Sequence, residues 1–181
     1  MTTASRAASI RTRLSQHREQ FLLKGALLFD LWFDVPSRPT RDIDLLGFGS
    51  EDMDELADVI RDVCAIPADD GVVFDPSSVR ATEIRKQARY PGIRVKLQGR
   101  LDGALCSVQV DVGFGDAVTP GPIAATFPVL LPDIAAPNLQ VYPVYTVVAE
   151  KLEAIITLGM ANSTGSTRHF MAVRHPARPN R

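Results

Sequence analysis

The stretch Phe21-Leu22-Leu23-Lys24-Gly25, followed by Arg38-Pro39-Thr40-Arg41-Asp42-Ile43-Asp44-Leu45, decides how this chain is read. An apolar triplet ends in Lys-Gly. Beyond Pro36 and a turn-forming Ser37–Thr40 segment, two aspartates alternate with two aliphatic residues. Side chains on a strand alternate between faces, so Asp42 and Asp44 share one face while Ile43 and Leu45 point into a core. Two carboxylates held that close repel each other unless a cation lies between them. Such pairs commonly bind hard divalent ions through oxygen. Mg²⁺ in particular takes one or two carboxylates plus substrate phosphates. The plainer alternative is a strand end with two solvated acids.

Working outward, Leu105–Val112 also alternates. Cys106, Val108, Val110 and Val112 face one way; Ser107, Gln109 and Asp111 face the other. Asp111 is the candidate third ligand. Three carboxylates on neighbouring strands can hold two metal ions ~3.5–4 Å apart for in-line phosphoryl transfer. The strand–Lys24-Gly25–helix turn offers the complementary half. A glycine there lets the backbone approach a phosphate, and a helix N-terminus favours an anion. The spacing of a Walker loop is absent. Lys24 can equally be a solvated charge beside a turn, and Thr40 an ordinary turn residue. Lys151, within Ala149–Glu153, flanks a stripe of Val148, Leu152, Ile155 and Gly159. It either snorkels its amine to water or points into a cleft to hold a triphosphate.

The remaining elements follow from periodicity and punctuation. Residues 5–19 read as a short Arg-rich amphipathic helix, and 26–34 as a helix stopped by Pro36. Asp52 is an N-cap with Glu55 three residues later, a variant of the capping box, opening a helix over 53–65. Strands are expected at Val72–Phe74 and Ile93–Leu97. Residues 118–143 contain six prolines and read as an irregular connection. Residues 144–161 read as a helix. Residues 163–181, rich in Ser, Thr, Gly, Arg and Pro, read as a disordered basic tail. Helices and strands mix without strict alternation, so the fold class is α+β. The domain plan is a helical segment at 1–19, one domain over 20–162, and the tail.

Composition sets the outer bounds. With 181 residues, 45% of them apolar, the chain can bury a core without staples. No apolar run is long enough for a membrane span, and the first residues lack the apolar region of a secretory signal. The expectation is therefore a cytoplasmic protein that makes no use of a membrane. Cys64 and Cys106 read as small core residues. The formal net charge of −1 hides an asymmetry: both ends are basic and the body is acidic. Within the body, residues 80–100 carry seven basic residues against Glu83. That stretch is either a solvated face or a landing strip for phosphates.

Four ordered motifs now carry a resemblance: Phe21–Ala26, Arg38–Leu45, Val108–Asp116 and Ala149–Ala154. Together they resemble the AbiEii-type nucleotidyltransferase toxins, from about residue 20 to Asn162. The resemblance implies a polymerase-β-like nucleotidyltransferase core, a small mixed sheet with packed helices. It implies Mg²⁺-dependent transfer of a nucleotidyl group from an NTP to RNA, with the 3′ end of tRNA as acceptor. It further implies a toxin–antitoxin or phage-defence role with a cognate antitoxin partner. By position it assigns Asp42, Asp44 and Asp111 to metal binding and catalysis, with Lys151 as a further catalytic residue. Lys24, Gly25, Thr40, Arg41 and Lys151 fall to the nucleotide. Thr40 matches a position that in some relatives is a Ser or Thr open to inhibitory phosphorylation.

Two departures qualify this reading. Gly25-Ala26 stands where many nucleotidyltransferases have Gly-Gly or Gly-Ser. His169 stands where an aspartate is expected, and the C-terminal helical lobe is largely missing from the sequence. The expectation from the second departure is a truncated member with weakened or lost activity. A catalytically inactive remnant and a phosphotransferase acting on a partner protein therefore stay open beside the transferase. A pure nucleic-acid-binding module fits least, because it has no need of three acids on one sheet face.

Overall fold

The computed structural model describes residue 11 and residues 15–32, 42–68, 70–84, 92–128 and 136–158. Its strands are β1 (Phe21–Lys24), β2 (Asp42–Gly47), β3 (Val72–Ile84), β4 (Gly92–Leu101), β5 (Ala104–Phe114), β6 (Ile123–Thr126) and β7 (Asn138–Val141). Its helices are α1 (Phe29–Trp32), α2 (Met53–Ala65) and α3 (Val144–Leu158). The strands form one sheet in the order β3-β4-β5-β2-β1-β7-β6. Pairing is parallel at β2–β5 and β1–β7 and antiparallel elsewhere, so the sheet is mixed. The α+β expectation holds.

Strand alternation divides the sheet into two unlike faces. Phe21, Leu23, Ile43, Leu45, Val95, Leu97, Val108, Val110 and Val112 share the buried one. Helix α2 covers part of it with Leu56, Ala57, Ile60, Val63 and Cys64. Each buried Leu, Ile or Val among them contributes about 1.5–3 kcal/mol. Burial pushes the Cys64 thiol up to about 11, so it remains a neutral core group. Cys106 packs half-buried against the same core. The opposite face carries Lys24, Asp42, Asp44, Asp111, Arg94 and Lys96, and it holds the candidate site.

The cap of α2 differs from its expected form in one arm. Asp52 accepts the N–H groups of Asp54 and Glu55, both at 2.9 Å. The return bond comes from Ser50, whose Oγ accepts the Asp52 N–H at 3.1 Å, in place of Glu55. Caps of this kind are worth about 1 kcal/mol.

Several boundaries move. Strand β3 runs on from Phe74 to Ile84 through Pro76-Ser77-Ser78, with a register shift between Asp75 and Arg80 that absorbs the irregular residues. The proline-rich 118–143 connection contains two strands, β6 and β7, and β7 pairs with β1 at Leu23↔Val141. The expected helix at 26–34 begins as a 3₁₀ turn, Gly25–Leu28, before α1. Of the expected 5–19 helix, Arg11 is helical and Arg18–Gln20 form a 3₁₀ turn. The described part of α3 buries Val147, while Tyr145, Leu152 and Ile156 are exposed; Leu152 therefore lies off the core. The 163–181 tail, His169, Thr40 and Arg41 lie outside the described residues.

Arg11 ties the N-terminal segment to the sheet edge. Its guanidinium donates to Asp70 Oδ1 at 2.9 Å and to the Val72 carbonyl, and stacks 4.6 Å from the Phe74 ring centroid. Both partners of the ion pair are buried, at 3% and 7% exposure.

Candidate active site

Backbone register places the site residues in one line. Lys24 on β1 lies opposite Asp44 on β2, Asp44 opposite Asp111 on β5, and Asp111 opposite Arg94 on β4. The row therefore reads cation, acid, acid, cation across four adjacent strands. The next row on the same face reads Asp42, Gln109, Lys96 and Arg80. Directly opposed residues have Cβ atoms about 4.5–5.5 Å apart. Four residues from distant parts of the chain thus become immediate neighbours.

Gly25 is required here by its neighbour. Its φ of +75° lies in the left-handed region, and a Cβ built on it would meet Asp44 Oδ2 at 2.1 Å. The expected reason for this glycine was room for a phosphate. The structure shows that the same space is taken by the Asp44 carboxylate. The expected helix N-terminus is reduced to the 3₁₀ turn and the four-residue α1, too short to act as an anion site.

Each cation of the row already holds an acid. Arg94 grips Asp111 bidentately, Nε to Oδ1 at 2.9 Å and Nη2 to Oδ2 at 2.8 Å. That hydrogen bonding raises the Arg94 pKa further, with the Asp111, Asp42 and Asp44 charges adding to it and partial burial opposing. Gln109 Nε2 approaches the same Asp111 Oδ2 at 3.4 Å. Lys24 Nζ is ion-paired with Asp116 and lies 5.7 Å from the Tyr142 ring centroid. The Tyr142 hydroxyl donates to Asp116 Oδ2 at 3.2 Å.

Glu150 on α3 completes this second cluster. Burial raises its pKa above the usual carboxylate range, and the positive charge of Lys24 partly offsets the rise. Tyr142 is shifted upward as well, by burial first and then by the charges of Glu150 and Asp116. A raised carboxyl pKa means that the folded state holds its proton to higher pH than the unfolded chain does. Stability contributed by neutral Glu150 is therefore lost as pH rises from its ordinary value of 4.5 through the raised one. Glu150→Gln should flatten this part of the curve and raise the melting temperature at neutral pH. Thermal melts of both proteins at a series of pH values would show it; parallel curves would contradict it.

A hard divalent ion suits the donor set only in part. Asp42 and Asp44 supply oxygens from one face of one strand, and substrate phosphates could complete a shell around them. Among the described residues, no three acidic, histidine or cysteine side chains are arranged to hold an ion. Asp111 is why the third position falls short: both of its oxygens are bound to Arg94. Lys151 is half-buried on α3, where its charge acts on Glu150. Among the described residues, no hydrogen bond or ion pair ties it to the carboxylate row.

Of the residues expected at the site, the register makes Lys24, Asp44 and Asp111 neighbours, with Asp42 on the same face. Sequence reasoning missed Asp116, Tyr142 and Glu150, and it placed Arg94 only within a basic stretch. A signal for Asp116 existed: an acid two residues past the end of the strand that carries Asp111, after Gly115.

No helix of the described residues is long and apolar enough to cross a membrane. No curated protein matches the chain. Among solved structures, JHP933 of Helicobacter pylori superposes with a TM-score of 0.51 at 13% identity, over 81% of this chain and 52% of that one. A second H. pylori structure, assigned to the nucleotidyltransferases, gives a TM-score of 0.48 at 14% identity, over 81% and 54%. The chain therefore spans about half the length of these structures, and at such identity the JHP933 likeness speaks for the fold alone. The family comparison goes further. The model of the nucleotidyl transferase AbiEii toxins matches residues 10–175, which takes in every strand of the sheet and the whole Lys24–Asp44–Asp111–Arg94 row. On that match, the chain belongs to the AbiEii family of nucleotidyl transferase toxins of type IV toxin–antitoxin systems.

Proposed function

We propose that this chain transfers a nucleotidyl group from a nucleoside triphosphate to an RNA acceptor, the 3′ end of a tRNA, as the toxin opposed by a cognate antitoxin. The supporting observation is the four-strand row in which two adjacent acids are flanked by two cations. In the transfer, an acceptor hydroxyl loses its proton to solvent and attacks the α-phosphorus; a new P–O bond forms as the bond from that phosphorus to the α–β bridging oxygen breaks, and pyrophosphate leaves. Asp42 and Asp44 are the residues that would hold Mg²⁺, which when bound offsets negative charge on the phosphates. Lys24 would exchange Asp116 for a phosphate oxygen. Arg94, held flat by Asp111, has its third nitrogen to offer. Thr40, Arg41 and Lys151 complete the proposed nucleotide contacts.

One observation favours a catalytically silent member instead. Both cations of the row are already satisfied by protein carboxylates. A transfer assay separates the readings. Purified protein, Mg²⁺, total tRNA and each labelled NTP in turn would be run beside an Asp42→Ala/Asp44→Ala variant. Label entering tRNA with the native chain alone is the expected result. No label with any NTP, from a protein folded by circular dichroism, would favour the silent member. A phosphate-sized adduct on a protein would point to the phosphotransferase.

A further inference from the structure

We propose that the uncovered face of β3 and β4 is a polyanion track, seating the backbone of a single-stranded nucleic acid and leading its end to the carboxylate row. The direction of the strand, though not its binding, rests on the transferase reading above.

The sequence places basic residues densely over 80–100, and the register sorts them. Arg94, Lys96 and Arg100 alternate along β4 with the buried Ile93, Val95 and Leu97, so all three emerge on the site face. Arg80 on β3 lies opposite Lys96 and emerges on that face too. Arg80, Lys96 and Arg100 are exposed. Arg80 is fixed by Nη1, which donates to the carbonyls of Ser77 at 2.7 Å and Val79 at 2.8 Å; among the described residues its other nitrogens have no hydrogen-bond partner. Arg100 leans on the Gly103 carbonyl at 3.4 Å. Of the acids on β3, Glu83 lies opposite Ile93 and so belongs to the other face. Asp75 lies opposite Gln98 and is turned onto Ser77, which gives it both its N–H and its hydroxyl.

The shape of the patch selects the ligand class. A site for one phosphate converges its donors on a point. Here the charges are drawn out along a strand, in steps of about 6.8 Å for every second residue. A line of cations matches a chain of phosphates better than a single anion. The described residues of this face include no aromatic side chain, so it has no platform for stacking bases. Recognition should therefore be of the backbone, tolerant of sequence and sensitive to salt. An acidic protein partner would also be drawn to the charge. The placement favours a nucleic acid, because the track abuts Asp111 at Arg94 and approaches Asp42 through Lys96 and Gln109. A strand end lying there would reach the row in which the transfer reading places the acceptor hydroxyl.

The test is fluorescence anisotropy with a fluorescein-labelled oligouridylate at several salt concentrations. The variant is Arg80→Gln/Lys96→Gln/Arg100→Gln, all exposed positions. The control is Arg18→Gln/Arg61→Gln, an exposed arginine on the 3₁₀ turn and a half-buried one on α2 that pairs with Asp58. The triple variant should bind at least about tenfold more weakly. Its log–log salt slope should fall by about 2, at roughly 0.7 for each phosphate no longer neutralised. The Arg18→Gln/Arg61→Gln control should bind as the native chain does. Unchanged affinity and slope in the triple variant, with an unchanged melting temperature, would overturn the proposal. So would displacement of the RNA by polyglutamate at equal charge concentration, which would assign the face to an acidic protein. If the native chain transfers no label but the triple variant alone loses binding, the track stands and the transferase reading fails.

Discussion

Asp44→Asn should lower kcat/KM for nucleotidyl transfer about 10³-fold while the protein melts close to its native temperature. The substitution keeps the shape of the side chain and removes its charge. An acid that holds a metal against a transferring phosphate is worth several kcal/mol, and each ~1.4 kcal/mol is a factor of ten. Gly25→Ala attacks the same group from the other side. Its methyl would have to occupy the position of Asp44 Oδ2, with the backbone at a φ of +75° that alanine adopts only at a cost. Activity should fall comparably, but here with some loss of stability. Steady-state kinetics with the acceptor and nucleotide found in the transfer assay, beside thermal melts, would separate the two. If Asp44→Asn turned over within tenfold of the native chain, Asp44 would not hold the metal.

The second large effect lies away from the site. Asp70→Ala should destabilise the fold by about 3–5 kcal/mol, because it leaves the Arg11 guanidinium buried without its counter-charge. For a domain of this size that is a drop of about 10 °C in melting temperature. The pair is itself imperfectly served: among the described residues, Arg11 Nε and Asp70 Oδ2 have no hydrogen-bond partner. Replacing both residues with apolar ones, as in Arg11→Met/Asp70→Leu, should therefore recover most of the stability. Chemical denaturation of the three proteins gives the comparison. Equal destabilisation in the single and double variants would mean that shape, and not the uncompensated charge, sets the cost.

These two sites differ in how far the sequence announced them. Alternation at 105–112 and at 42–45 is plain, because one residue in two is aliphatic and most of the others are polar. That pattern is enough to put Asp42, Asp44 and Asp111 on polar strand faces. The extension of β3 is hidden because Pro76-Ser77-Ser78 reads as a turn, and only pairing with β4 carries the strand past it. β7 is hidden by the prolines around it; its four residues become a strand because β1 offers an open edge. Arg94, Asp116 and Glu150 are illegible as site residues for a different reason. Their roles depend on which strands and helices become neighbours, and no local pattern records that. At Gly25 the structure adds a constraint that no local pattern records: the space a Cβ would need is taken by a side chain 19 positions away.

The parallel pairing of β2 with β5 also has a kinetic meaning. The site's four residues sit at positions 24, 44, 94 and 111, and no hairpin brings the two acids together. A slip of β2 by one residue would set Ile43 or Leu45 against Asp111 and bury both aspartates in the hydrophobic layer. Partly zipped sheets therefore have no diminished version of the site. On the transferase reading proposed above, the two acids would therefore become neighbours only once two strands far apart in the sequence have closed in register.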